Sequence, residues 1–432
     1  MPKYLSISLS VAIFLIFGYT LFQNALNAPS FDDYDATVNF IRRFFFENFD
    51  PRIRFEIMLG RQNEHRILVS KVVAAGYYYL FGEINFTHLV WIQNIFLFAF
   101  FALMLAIMQN RKLLSADTVL WAAIFLLSLA FWQVTFYYWG GIQHYSVFFF
   151  SFLLLYSLER AERIVSSSFF IALFAGLFAV LSFGNGFIAL LLGCFLLFAK
   201  KKKSLLAAWS VITVLLTLFA LFPRPASVDH IQNAFNFEWM GRLLFTYLGS
   251  FLFINPATGL HFNIILCMIT GLLVFGTWLW LLWNGYAFRR PLLYCLLSLP
   301  ILTGIIIAVS RFESKAAGGI APRYMFFTAT IPVLLVLILL DMQILKKQHL
   351  SWLTGIGLVL WSAVFYNDRQ ALISQNEEVV TTLRRWERDP ETPLIYYRDS
   401  REYGEILTWA VANGVVKIPG GQNHLIDNEN RK

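Results

Sequence analysis

"LSISLSVAIFLIFGYTLFQNALNAPSFDDYD" occupies residues 5–35 and puts two unlike things end to end. Leu5 to Phe22 is an uncharged, mostly apolar run of membrane-crossing length, since about 20 residues at about 1.5 Å each span a hydrocarbon core of about 30 Å. Directly after it, Asp32, Asp33 and Asp35 crowd three carboxylates into four positions. The run reads as a retained signal anchor with its N-terminus in the cytoplasm. It is preceded by one Lys, "LNAPS" is a poor small-x-small cleavage site, and Pro29 would sit just after the cut.

Working outward, the whole chain repeats the first half of that pattern. Of its 432 residues 58% are hydrophobic and 14% charged, against about 25% charged in an ordinary soluble domain. The 45 Phe and 13 Trp suit lipid-facing helices and interfacial belts. The fold class expected is an all-α polytopic membrane protein. A net charge of +8 would suit nucleic acid, but the basic residues fall in short clusters between apolar runs, so nucleic acid is not expected as a partner. Cys194, Cys267 and Cys295 lie far apart inside apolar stretches, so no disulfide framework or zinc site follows.

About eleven spans are expected: Leu5 to Phe22, then 88–108, 118–137, 142–158, 166–183, 186–199, 204–222, 260–283, 291–309, 324–342 and 350–366. Threaded alternately, they put Arg111 and Lys112, Arg160 and Arg163, Lys200 to Lys203, Arg289 and Arg290, and Lys346 and Lys347 on one side, which the positive-inside rule makes cytoplasmic. Leu243 to Ile254 is too short to cross and reads as interfacial or re-entrant. The expected division is a membrane domain over 1–366, with an external loop over 23–87, and a small extracytoplasmic segment over 367–432. That tail alternates helical "EEVVTTLRRWERD" and "EYGEILTWAVANG" with strand-like "PLIYY" and "VVKIP", an α/β pattern.

Three clusters on the outward side carry chemistry. The acidic "SFDDYD" is followed by "FIRRFFFENF" and "HRILVSKVVAAGYYYLFG", amphipathic pieces suited to lying in the membrane plane. "GRQNEHRI" (60–67) read as a helix puts Arg61, Glu64 and His65 on one face, with Gln62 and Arg66 on another. The bland alternative is a salt-bridged cap on the helix that follows. "SRFESKAAGGIAPRYMFF" (310–327) places Arg311, Lys315 and Arg323 outside, against the positive-inside trend, and such cations call for an anion, of which phosphate is the natural one. Attraction to lipid headgroups is the bland alternative there. His144 in "WGGIQHY", Asn185 in "SFGNGF" and the pair Asp229 and His230 are lining candidates only. Together the clusters suit transfer of a group from a phosphate-bearing lipid. A carboxylate takes the acceptor's proton, and cations hold the departing phosphate, which leaves without a general acid.

An acidic pair right after the first span, amphipathic helices in that loop, about eleven spans and a folded outer C-terminal part resemble the GT-C class of membrane glycosyltransferases. "NEHRI", "SFGNGF" and "APRY" are similar to motifs of bacterial members of this kind. The resemblance implies a transferase in the bacterial inner membrane, its site facing the periplasm or exterior. It would carry out inverting transfer of a hexosyl or pentosyl group from a polyprenyl-phosphate donor to a glycan, lipid or protein acceptor. It further implies a first-loop carboxylate as base, Asp33 first and Asp32 next, with Asp35 last. Glu64 and His65 would orient acceptor or sugar, and Arg61, Arg66, Arg311, Lys315 and Arg323 would hold the phosphate, with Tyr324 of "APRY" also on the substrate. As to cofactors, "DDYD" with Glu64 offers oxygen ligands of the kind a divalent cation takes, and metal dependence stays open.

Two rivals stand beside this reading. A surface-polysaccharide polymerase or ligase would have similar spans and outer Arg and His residues, with its working residues in later loops. A lipid-linked saccharide transporter or flippase would carry charges inside its spans, whereas Asp341 lies near a span end and little else is buried.

Overall fold

The computed structural model describes residues 2–62, 65–221, 236–254, 260–311, 321–394 and 400–418. The chain opens with α1 (Lys3–Asn24), two wide π-helical turns (Tyr34–Asn39 and Arg42–Glu47), α2 (Pro51–Leu59), the two-residue strands β1 (Arg61–Gln62) and β2 (His65–Arg66), and α3 (Leu68–Phe81). The body follows as α4 (Phe86–Asn110), α5 (Ala116–Leu126), α6 (Trp132–Phe136), α7 (Tyr138–Arg160), α8 (Ser167–Ser182), α9 (Phe187–Ala199) and α10 (Lys203–Leu221). It closes with α11 (Phe237–Leu248), α12 (Leu260–Trp283), α13 (Tyr286–Arg289), α14 (Pro291–Arg311), α15 (Pro322–Asp341), α16 (Lys347–Arg388) and α17 (Ser400–Ala412).

Among the described residues nine helices are long and apolar enough to cross a membrane, and this is a multi-pass membrane protein. Two of the eleven expected spans are shorter than that. The stretches 166–183 and 186–199 are α8 and α9, of 16 and 13 residues, about 24 Å and 20 Å at 1.5 Å per residue. They run out and back, so the alternation of the other segments is unaffected. Their turn is tight: a Cβ on Gly186 would lie 2.1 Å from the Ala179 carbonyl oxygen.

The basic gaps gather at one end of the bundle. Glu159, its side chain 6% exposed, pairs with Arg111 and with Lys200 at 3.2 Å. Lys202 donates to the Glu159 carbonyl at 3.1 Å and to that of Ala161. Asp341 accepts from Tyr286 at 3.0 Å and pairs with Arg290 at 3.2 Å. Asp117 accepts from Ser6 at 2.5 Å and Ser351 at 3.1 Å, joining the starts of α1, α5 and α16. A buried carboxylate with several cationic partners has its desolvation cost offset by them, so Glu159 pins three loops at once.

Elsewhere the sequence expectations need correction. "GRQNEHRI" is no helix: β1 and β2 pair antiparallel, Arg61 opposite Arg66 and Gln62 opposite His65. "EEVVTTLRRWERD" is helical, as its pattern predicts. It continues the last span within the 42-residue α16, about 63 Å long. In the tail's expected strands, "VVKIP" contributes a single parallel bridge between Val416 and Ile84, and "PLIYY" falls mostly outside the described residues. Leu243 to Ile254 belongs to α11 and a short following turn, which pack against α12 and α14. A Cβ on Gly249 would meet the Cys267 carbonyl oxygen at 2.0 Å and one on Gly271 that of Phe245 at 1.9 Å, so two glycines bring α11 and α12 into backbone contact.

Two apolar cores result. One fills the bundle around Phe100, Phe131, Tyr145, Phe148 and Phe326. The other joins the loop after α1 to the far half of α16 and to α17, through Leu21, Tyr34, Val38, Leu372, Leu383 and Leu407. The Tyr34 and Tyr403 rings stack at 5.3 Å, so the C-terminal helix clamps the acidic segment.

Candidate functional site

At the end of the bundle opposite the basic gaps lies a cavity of about 200 Å³. β2 contributes His65 and Arg66, the α8–α9 turn Phe183, Gly184 and Asn185, α14 Thr303, Ile307 and Arg311, and α15 Tyr324. From Arg311 to Thr303 the wall descends two helical turns, about 12 Å along α14. Arg311 ends its helix, while Val180, Phe187, Ile306 and Ile307 supply apolar lining. The cavity is therefore amphipathic, with guanidinium and imidazole groups beside hydrocarbon.

Its construction packs "SFGNGF" against His65 of "NEHRI". A Cβ on Gly184 would sit 2.2 Å from His65 Nδ1, so only glycine leaves room for the imidazole. Phe183 lies between two such rings, 4.5 Å from His65 and 4.9 Å from His144. His144 is 2% exposed. Its Nδ1 meets the Gly140 carbonyl at 2.5 Å, while Nε2 has no hydrogen-bond partner among the described residues. Asn185, also buried, donates from Nδ2 to Thr303 Oγ1 at 3.1 Å, and its Oδ1 lacks a partner among the described residues.

The β1–β2 hairpin docks on the last turn of α10. Arg61 donates to the Ala220 carbonyl, and Arg66 donates to that of Phe219 at 3.3 Å and lies 4.4 Å from its ring centroid. Like charges directly opposite on a ladder repel; the negative end of a helix compensates them. Burial and the neighbouring Arg61 both lower the Arg66 pKa. On the β1 side is a second cavity of about 150 Å³, lined by Asp35, Asn39, Arg43, Glu56, Arg61, Gln62 and Lys71 among others. The hairpin thus carries an amphipathic cavity on β2 and a polar one on β1.

The three carboxylates of "SFDDYD" separate. Asp33 is 1% exposed. It accepts from Ser30 N at 3.2 Å, from Thr37 Oγ1 at 3.3 Å and from the backbone of Trp139 at the start of α7. Burial raises its pKa well above the usual carboxylate range, those hydrogen bonds opposing. Asp35 faces the polar cavity and accepts from Asn39 at 2.9 Å and from Gln62. Asp32 is partly exposed beside Asp33. Arg323 connects the groups: its guanidinium lies 5.8 Å from the Trp139 ring and 5.2 Å from that of Tyr324, so one residue separates it from the Asp33 carboxylate.

Of the predicted site residues, then, His65, Arg66, Arg311 and Tyr324 share the amphipathic cavity, and Arg323 flanks it. Arg61 is on the polar cavity, and Asp32 and Asp33 line neither. Glu64 and Lys315 lie outside the described residues. No family model, curated protein or solved structure matches this chain. Among the described residues no group of three or more His, Cys, Asp or Glu side chains is placed to hold a metal ion. Sequence reasoning missed Thr303 and Lys71. A lone Lys on the otherwise apolar α3 was a legible signal for the second; nothing marked the first.

Proposed function

We propose that this protein transfers a sugar from a polyprenyl-phosphate carrier to a hydroxyl acceptor at the membrane surface carrying the external loop, the extracytoplasmic face by the positive-inside rule. One observation carries the reading: His65 and Arg66 from the first loop meet Arg311 and Tyr324 from the late helices around a single amphipathic cavity. A phosphate with a prenyl chain attached needs those two kinds of lining together, cations for the head and hydrocarbon for the tail. Asn185 Oδ1, buried and without a partner among the described residues, adds an acceptor suited to a sugar hydroxyl, since a buried unsatisfied oxygen costs about 1–3 kcal/mol until a donor arrives.

In this reading the acceptor oxygen attacks the anomeric carbon, the bond from that carbon to the phosphate oxygen breaks, and polyprenyl phosphate leaves as an anion held by Arg66 and Arg311. The acceptor's proton passes to Asp32, the partly exposed carboxylate. Asp33 fixes Asp32 in place by tying its segment to the start of α7. Purified protein given radiolabelled polyprenyl-phosphate sugar and a cell-envelope acceptor extract should release free polyprenyl phosphate. Arg311→Gln and Asp32→Asn should lower the rate by about 100-fold or more. Full turnover in both variants, with the protein folded, refutes the assignment.

One observation favours a second reading, the polysaccharide polymerase or ligase. Among the described residues no carboxylate lines the amphipathic cavity, whereas His65 does. An imidazole would then take the acceptor's proton, and His65→Gln rather than Asp32→Asn would abolish turnover.

A further inference from the structure

We propose that the polar cavity on the β1 side is a second, separate phosphate-binding site. One of its cations is buried and a second is partly buried. Lys71 is 4% exposed and donates to the Ile57 and Gly60 carbonyls, each at 2.8 Å. That leaves one ammonium proton, with the Phe40 ring centroid 5.6 Å away; the charge of Asp35 acts on the ammonium, but no carboxylate is within ion-pair distance among the described residues. Arg61, partly buried, keeps its Nε without a hydrogen-bond partner among the described residues. Buried charges in proteins are paired or bound, so a buried ammonium without an ion pair, with Arg61 and Arg43 beside it on one small cavity, calls for an anion.

The remaining lining is consistent with that ligand. The oxygens of Asp35 are engaged by Asn39 and Gln62, while Glu56 and Arg43 are exposed. Burial holds the Lys71 pKa down to about 8, so the ammonium is still the main form at neutral pH. A space of about 150 Å³ equals roughly five water volumes at ~30 Å³ each, room for a single phosphate group. Resting on the transferase reading, the ligand is a phosphate borne by the acceptor, held on β1 while the lipid donor lies on β2. The site itself does not depend on that reading.

The test is titration of the purified protein in uncharged detergent, by calorimetry, with inorganic phosphate, glycerol 3-phosphate and short-chain phosphatidate in separate arms. Lys71→Met should weaken phosphate binding at one site by about 10- to 100-fold, the loss of one charge-assisted hydrogen bond. Arg43→Glu, on an exposed position, should weaken the same site without touching the buried framework. Arg311→Gln should leave that site unchanged, because its side chain lines the other cavity. Glycerol 3-phosphate binding as tightly as phosphatidate identifies a soluble acceptor; preference for phosphatidate identifies a lipid headgroup. Phosphate binding unaltered in both Lys71→Met and Arg43→Glu overturns the site. Loss in those variants with no lipid-phosphate effect in Arg311→Gln keeps it and overturns the donor cavity instead.

Discussion

Replacing Asp33 by Asn tests how the acidic segment is held. Asp33 is buried and its pKa is raised above the unfolded value of about 3.9, mainly by desolvation. The folded chain therefore binds a proton at Asp33 that the unfolded chain has already lost, at pH values between the two pKa values. Stability from this group is fully present below the unfolded pKa and is lost as pH rises through the folded one. Inside that window each pH unit costs the wild type about 1.4 kcal/mol relative to Asp33→Asn, which has no proton to lose. The amide resembles the protonated acid in shape and keeps an oxygen for Thr37 or for the Ser30 N–H. At pH 4 the two proteins should therefore differ by less than about 1.5 kcal/mol, and the variant should gain as pH rises. Equilibrium unfolding in mixed micelles, followed by tryptophan fluorescence at half-unit pH steps, gives the difference curve. A flat difference, or a variant that loses ground toward neutral pH, refutes the argument that Asp33 is protonated by burial.

Other expectations follow from single contacts. Gly184→Ala puts a Cβ 2.2 Å from His65 Nδ1. It should cost about 1–3 kcal/mol of stability and displace the imidazole, seen as a shifted His65 resonance in selectively labelled protein. Glu159→Gln leaves Arg111 and Lys200 without their shared carboxylate and should destabilise by about 3–5 kcal/mol in the same micelle assay. Tyr403→Ala removes the ring stacked on Tyr34 and should speed proteolytic cleavage within residues 30–60, leaving the membrane helices intact.

Hydropathy and charge placed most of this architecture before any coordinates. Apolar runs announce themselves by length, and the gaps holding Arg111, Lys200 and Arg290 do meet at one end around Glu159 and Asp341. α8 and α9 read as spans because they are as apolar as the longer ones, and the turn at Gly184 to Gly186 ends them at 16 and 13 residues. "GRQNEHRI" misled for a different reason. Its charges sit at helical spacing, but α10, about 150 residues later in the chain, holds Arg61 and Arg66 by its terminal carbonyls and imposes an extended hairpin. No local propensity encodes that. Nor can sequence say which of three near-adjacent aspartates turns inward: Asp33 is buried by the start of α7 and by α17 clamping Tyr34, both distant in the chain. The contact of "SFGNGF" with His65 was not legible in sequence; it depends on the missing Cβ of Gly184.

The central claim is that the amphipathic cavity receives a lipid phosphate. Cryo-electron microscopy of the protein in nanodiscs loaded with polyprenyl phosphate tests it most directly. The account predicts phosphate density within hydrogen-bond reach of Arg311 and His65, with the prenyl chain running along Ile306 and Ile307. A cavity empty of lipid, with the phosphate seated at the opposite end beside the Glu159 cluster, would contradict it.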